Sequence, residues 1–245
     1  MAYQQESITP YNKEERKGVQ VERMFDHIAP KYDRLNHTLS LGIDRLWRNR
    51  AIDSLRPFAP RELLDIATGT GDFAILAARR LKPQSVVGAV ISEEMVEIAR
   101  RKANQAELER VIRFQREDCM QLSFADQSFD AVTVAYGARN FENLDRGLQE
   151  MRRVLRPGGH LLLLELASPK SFPMKQIFWL YSHFMIPFLG WLFSRDVKAY
   201  KYLTDSVQVF PQGEEMEHII RCAGYSQLEW KRFTFGICTM YLAKR

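Results

Sequence analysis

The residues Asp65-Ile66-Ala67-Thr68-Gly69-Thr70-Gly71-Asp72 set one carboxylate on each side of a Gly-x-Gly turn. Leu63, Leu64 and Ile66 form an apolar run too short for a helix, so the stretch reads as strand, tight turn and helix start. The glycines let the backbone turn and come close to a ligand. Asp72 stands where it can cap or charge the first helical turn. Gly69-x-Gly71-x-x-Ala74 also satisfies a loose dinucleotide fingerprint, the mark of a nicotinamide-dependent reductase. Charge separates the two chemistries. A pyrophosphate needs bare backbone amides at the helix start, whereas two carboxylates repel it and suit a cation. A sulfonium joined to an amino-acid tail, as in S-adenosylmethionine, is such a cation; a plain strand-to-helix turn without a ligand is the simpler alternative.

In an open α/β sheet the ligand sits outside the carboxyl ends of the strands, so four strand-end segments read together as one site. They are Asp65 to Asp72, Gly88 to Ser92, Glu117-Asp118-Cys119, and Ala135 to Phe141. Asp118 is placed to accept from an adenine amino group while Cys119 or Met120 packs the ring. At the end of the second strand an acid would accept from both ribose hydroxyls, yet Val90 stands there. Loss of a charged hydrogen-bond partner costs roughly 1.5–3 kcal/mol, about 10- to 150-fold in affinity, unless Glu93 or Glu94 reaches back. In the loop Gly137-Ala138-Arg139-Asn140-Phe141, Arg139 stays protonated and cannot be a base. It can stabilise an oxyanion developing on an aromatic hydroxyl, or it is a salt-bridged loop arginine.

The elements that must position these groups follow from periodicity. Asn12 to Ile28 suits an amphipathic helix ended by Ala29-Pro30, and Ile43 to Leu55 a second one stopped by Pro57 and Pro60. Asp72 to Leu81, Glu93 to Gln105 with Ser92 as its cap, Leu144 to Leu155 and Glu214 to Cys222 complete the helices. Strands are predicted at Glu62 to Ile66, Ser85 to Ile91, Val111 to Gln115, Phe129 to Ala135, His160 to Leu166, Tyr225 to Phe233 and Ile237 to Ala243. The apolar run of the fifth marks burial on both faces. The implied fold is α/β, a doubly wound, seven-stranded and mostly parallel sheet whose last strand enters antiparallel. It forms a single domain over 1–245, with a helical arm over 1–60 and a helical cover over 170–212. The aromatic-rich Phe172 to Phe193 serves as that cover, touching a membrane interface through Trp179, Phe188 and Trp191, or as an ordinary core helix.

A chain of 245 residues with 46% hydrophobic and 27% charged residues is an ordinary globular protein with a good core. The net charge of +5 suits an anionic membrane face as well as plain solubility. Without a Lys/Arg block interleaved with aromatics, nucleic acid is not an expected partner. Cys119, Cys222 and Cys238 show no C-x-x-C spacing, so neither a disulfide framework nor a metal site is expected, and a reducing compartment fits. Met1 to Gln20 lacks the apolar core of a signal peptide, so a cytoplasmic location is expected, peripheral on the inner face of the membrane.

Four stretches carry a resemblance. Tyr32-Asp33-Arg34-Leu35-Asn36-His37-Thr38-Leu39-Ser40 through Trp47 and Gly137-Ala138-Arg139-Asn140-Phe141 are narrow signals. Leu64 to Asp72 and Arg153-Val154-Leu155-Arg156-Pro157-Gly158-Gly159 are broader ones. From about Val21 onward the chain resembles the ubiquinone/menaquinone biosynthesis C-methyltransferases, class I S-adenosylmethionine-dependent enzymes that methylate a prenylated quinol ring. The resemblance implies that Thr70 and the glycines Gly69 and Gly71 contact the methionine part of the cofactor, with Asp65, Thr68 and Asp72 completing that set. It implies that Asp118 with Cys119 contacts the adenine, and that Tyr32, Arg139 and Asn140 border the quinol. A water-mediated proton transfer to Asp33 or His37 would activate the ring. Leu35, Asp44 and Val90 depart from the family's usual Met, His and Asp. Demethylmenaquinol is the expected acceptor, with a homodimer or other quinone-biosynthesis enzymes as expected partners. The Val90 departure motivates one alternative, a catalytically impaired scaffold.

Overall fold

Residues 3–33, 40–181, 184 and 197–245 are described by a computed structural model. Seven strands form one sheet: β1 (Glu62–Ile66), β2 (Ser85–Val90), β3 (Ile112–Arg116), β4 (Phe129–Ala135), β5 (Leu155–Leu166), β6 (Ser226–Phe233) and β7 (Cys238–Lys244). Their order is β3-β2-β1-β4-β5-β7-β6. The first five are parallel, and β7 inserts antiparallel between β5 and β6. This is the doubly wound, mostly parallel α/β sheet expected from the strand pattern.

Helices α1 (Lys17–Ile28), α2 (Ile43–Asp53), α3 (Asp72–Leu81), α4 (Glu93–Gln105), α5 (Leu144–Val154), α6 (Met174–Leu180), α7 (Val197–Val209) and α8 (Glu214–Cys222) are present among the described residues. The two-residue alternation of the strands divides the core into two layers. Leu64, Ile66, Val132 and Val134 face one cluster with Leu144, Leu148 and Met151 of α5. Leu63, Val86 and Ala131 face the other, with Trp47 and Ile52 of α2, Ala74 and Ala77 of α3, and Met95 and Ala99 of α4. Each fully buried Leu or Ile contributes about 1.5–3 kcal/mol by leaving water, enough to hold both faces of the sheet covered.

Three boundaries differ from the periodicity by more than one residue. The first helix starts at Lys17 because the Asn12 side chain accepts the amides of Glu14 and Glu15 at 3.1 and 3.0 Å, which closes a turn there instead. The helix α2 ends at Asp53, and Arg56–Phe58 follow as a 3-10 turn. Strand β5 begins at Leu155 directly after α5, with Pro157-Gly158-Gly159 inside a register shift between the pairs Phe129/Leu155 and Ala131/His160.

The N-terminal arm crosses to the far side of the sheet. The Leu144 amide donates to Glu6 at 2.8 Å, and the Tyr3 hydroxyl donates to Asp145 at 2.7 Å. Arg16 makes two 3.2 Å bonds to Glu142. Within the expected cover, α6 and α7 are described, whereas Phe188 and Trp191 lie outside the described residues, as do Arg34 to Leu39 with His37.

The chain leaves β1 toward β2 and β3, then returns to the other side of β1 with β4. That reversal opens a crevice at the carboxyl ends of β1 and β4. The segments after these two strands press together there: a Cβ on Gly137 would lie 2.5 Å from the Cβ of Ala67. Ala67 and Tyr136, at φ 52° and 58°, both occupy the left-handed region, strain that the surrounding packing must hold.

Candidate active site

A cavity of about 570 Å³ opens at this crevice, a size suited to a nucleoside-like ligand. Ala67 and Gly69 form its floor, Val90 and Ile91 one side, Asp118, Cys119 and Met120 the far end, and Asn140 the near wall. Helix α1 roofs it with Val21, Glu22 and Phe25. A Cβ on Gly69 would meet nothing closer than Tyr32 at 3.7 Å, so packing does not exclude a side chain there. The cavity takes that space, and the backbone of the turn at Gly69 is what a cofactor's amino-acid tail would meet. At the far end Asp118 accepts the Met120 amide at 2.9 Å, an Asx turn that fixes its carboxylate. Burial and neighbouring Asp118 raise the Cys119 thiol well above its ordinary value, so it packs as a neutral apolar group. Asp118 and Cys119 therefore stand side by side at the far end of the cavity.

The acids of the turn behave otherwise than expected. Neither Asp65 nor Asp72 lines the cavity. Asp65 is fully buried and accepts from the Thr68 and Thr133 hydroxyls, each at 2.6 Å. Burial raises its carboxyl from 3.8 to about 6, the two hydroxyl bonds opposing the rise. Asp72 pairs with Lys102 and, at 3.1 Å, with Arg48. The chain's own cations thus answer its charge. Thr70 donates to Asp33 at 2.5 Å, and Lys102 bonds Asp33 at 2.8 Å and Thr70 at 3.2 Å. Asp72 is the hub of an ion network behind the turn, and Asp33 is engaged through both oxygens; neither lines one of the two cavities. Thr68, Thr70 and Gly71 also stand behind the floor, where they shape it. Glu93 and Glu94 are exposed and do not line the cavity; among the acids that do are Glu117, whose amide donates to the Val90 carbonyl at 3.0 Å, and Glu22, held by Arg116 at 2.5 Å.

A second cavity of about 140 Å³ adjoins the first and shares Tyr32 and Tyr136 with it. Its deep end holds Arg48, Arg139 and Asp44, and its outer walls are Leu166, Phe178, Tyr181, Leu203 and Val207. Arg139 is buried and pairs with Glu165 at 2.6 Å while donating to the Tyr136 carbonyl. Burial pulls its guanidinium toward neutrality, but Glu165 more than offsets this, so the charge persists. Asn140 accepts from the Tyr202 hydroxyl at 3.0 Å, which turns its amide nitrogen away from that bond. Lys17 clamps the same loop, donating to the carbonyls of Arg139 at 3.0 Å and Gln5 at 2.6 Å. Burial lowers its ammonium from 10.5 to about 8.

The fold therefore brings Tyr32, Arg139 and Asn140 to the junction of the two cavities. Arg48, Lys102, Lys17 and Glu165 were missed in sequence. Glu165 alone carried a local signal, one acid inside the leucine run of β5.

Known proteins resemble this chain over most of its length. The model of the ubiE/COQ5 methyltransferase family matches residues 11–245. A demethylmenaquinone methyltransferase of Bacteroides fragilis is 56% identical over 245 residues, covering 100% of both chains. A ubiquinone/menaquinone biosynthesis C-methyltransferase UbiE of Geotalea uraniireducens is 41% identical over 94% of this chain and 97% of its own. Among solved structures, a SAM-dependent methyltransferase from Thermotoga maritima, a possible histamine N-methyltransferase, superposes with a TM-score of 0.65. At 20% identity, covering 91% of this chain and 98% of that one, it attests to the fold. Sequence, sheet order and site lead to one assignment: the chain belongs to the ubiE/COQ5 methyltransferase family.

Proposed function

We propose that the protein methylates a ring carbon of a prenylated quinol, demethylmenaquinol in menaquinone biosynthesis, with S-adenosylmethionine as the methyl donor. The observation that carries this reading is the pair of adjoining cavities walled jointly by Tyr32 and Tyr136. One has a nucleoside-sized space over a bare glycine turn; the other has an apolar mouth and a deep arginine. When bound, the donor supplies a methyl on a positively charged sulfur. Two tyrosine faces at the junction favour such a cation, and the floor at Ala67 and Gly69 with the far end at Asp118 and Cys119 would hold its two ends apart.

On the acceptor side, Arg139 receives the quinol oxygen and stabilises the negative charge that develops on it, at a site where burial strengthens the interaction. Glu165 and the Tyr136 carbonyl fix the guanidinium, so little reorganisation is needed as charge builds. The ring carbon gains the methyl and loses its hydrogen as a proton, the hydroxyl recovers its own, and each turnover releases one proton. Asn140 and Tyr32 align the ring with the methyl, the step to which positioning contributes most.

Phe172, Ile177, Trp179, Leu180 and Phe184 are exposed around the mouth formed by Phe178 and Tyr181. No helix among the described residues is long and apolar enough to cross a membrane. We place this face on the surface of an anionic bilayer, from which the prenyl tail enters. The test is transfer from methyl-labelled S-adenosylmethionine to demethylmenaquinol kept reduced, with the benzoquinol counterpart in parallel. Labelled menaquinol is expected; no labelled product from folded protein with either quinol rejects the reading.

A further inference from the structure

Two arginines face the second cavity, and each keeps one buried donor without a partner among the described residues. Arg139 uses Nη1 for Glu165 and the Tyr136 carbonyl, and its Nε is unpaired. Arg48 directs Nη1 to Asp72 at 3.1 Å and Nη2 toward Asp44 at 3.4 Å, and its Nε is likewise buried and unpaired. Tyr136 touches both arginines. Its carbonyl accepts from Arg139, and its ring lies 5.5 Å from the Arg48 guanidinium. The buried Tyr136 hydroxyl meets the Cys238 thiol.

Native interiors seldom leave such donors unmade, because each has given up water for nothing. Two guanidinium donors on the walls of one cavity mark where the acceptor atoms of a ligand belong. Oxygens on opposite edges of a flat ring cannot both be served by one guanidinium. Arg48 is also rigidly carried: it follows Trp47, whose buried indole donates to Thr234 at 2.8 Å, and its ion pairs fix the fork at both ends.

We infer that Arg48 binds the second oxygen of the acceptor. Arg139, next to Asn140 on the wall of the first cavity, holds the oxygen beside the carbon that receives the methyl; Arg48 holds the oxygen across the ring. The assignment rests on the quinol reading above and adds a specificity element to it. The site selects a ring with two para oxygens, because a single-hydroxyl ring leaves Arg48 unpaired.

The experiment compares two short-tailed acceptors, a prenylated 1,4-naphthoquinol and its analogue with hydrogen in place of the remote hydroxyl. Wild-type protein is expected to favour the diol in kcat/KM by about 10- to 100-fold, the size of a charge-assisted hydrogen bond. In Arg48→Lys, which keeps the cation but loses Nε, and in Arg48→Gln, that preference is expected to fall to about 3-fold or less. Affinity for S-adenosylhomocysteine, read by calorimetry, reports that the variants are folded; if Arg48→Gln does not fold, Arg48→Lys decides. Retention of the wild-type preference, or equal loss on both acceptors, overturns the assignment. Failure of wild-type protein to methylate either acceptor instead removes the quinol reading, and this assignment with it.

Discussion

Arg139 and Glu165 meet at 2.6 Å with side chains only 7% and 2% exposed, so this charge on the wall of the second cavity is answered from within the sheet. Glu165 also accepts the amides of Arg139 at 3.3 Å and Leu166 at 2.9 Å, which makes it the anchor of the loop after β4. Replacing Glu165 by Gln strands a buried guanidinium. The variant is expected to lose about 3–5 kcal/mol of stability, measured by urea unfolding. Its methyl transfer at permissive temperature should fall more than its affinity for S-adenosylhomocysteine. Unchanged stability would show that Arg139 finds its countercharge elsewhere.

Asp65 makes a pH prediction. Burial raises its carboxyl from 3.8 to about 6, so the folded state holds the proton more tightly than the unfolded chain. Stability should therefore decline as pH rises from about 4 to about 6, and level off above. Asp65→Asn removes this titration. It should match wild type near pH 4 and exceed it by about 3 kcal/mol at pH 7, since each tenfold difference in proton affinity is worth about 1.4 kcal/mol. Unfolding curves across that range check it, and a constant gap refutes it.

Gly137 and Ala67 form a reciprocal pair. A methyl on Gly137 overlaps the Ala67 Cβ at 2.5 Å and comes within 3.3 Å of Val134. Gly137→Ala should force the two strand-end segments apart, lowering stability by about 1–3 kcal/mol and weakening cofactor-analogue binding. Ala67→Gly removes the overlapping methyl and relieves a left-handed alanine at φ 52°. The double variant should recover at least half of both losses, which a double-mutant cycle measures directly.

Val90 lines the first cavity, where an acid would meet ribose hydroxyls. Val90→Asp is expected to tighten S-adenosylhomocysteine binding at least tenfold, about 1.4 kcal/mol, while lowering ligand-free stability by about 1–3 kcal/mol through a buried carboxylate. Calorimetry with thermal unfolding reads both. Unchanged affinity would mean that another group, such as Glu22 or Glu117 in the cavity wall, already fills that role.

Much of this architecture was legible because it is local. The βα alternation, the Gly69-x-Gly71 turn and the paired strands at the C-terminus each lie within short windows whose spacing reports their conformation. The site was legible only as a collection of strand ends. Which charges cancel was not, since Arg48, Asp72, Lys102 and Asp33 come from separate segments and meet only in the folded chain. The acids around the turn therefore read as ligand groups, because the partners that hold them lie far away in the sequence. Glu165 shows a different failure: its run of leucines outweighed the one residue in it whose burial demands a partner.

The arm that grips the loop after β4 has a consequence for the chain's biography. The carbonyl of Arg139, the carboxylate of Glu142 and the amide of Leu144 that receive it are made more than a hundred residues after it. During synthesis the arm has to wait undocked until those partners exist. A segment translated early is thus fastened late, and the loop after β4 sets only when the arm returns to it.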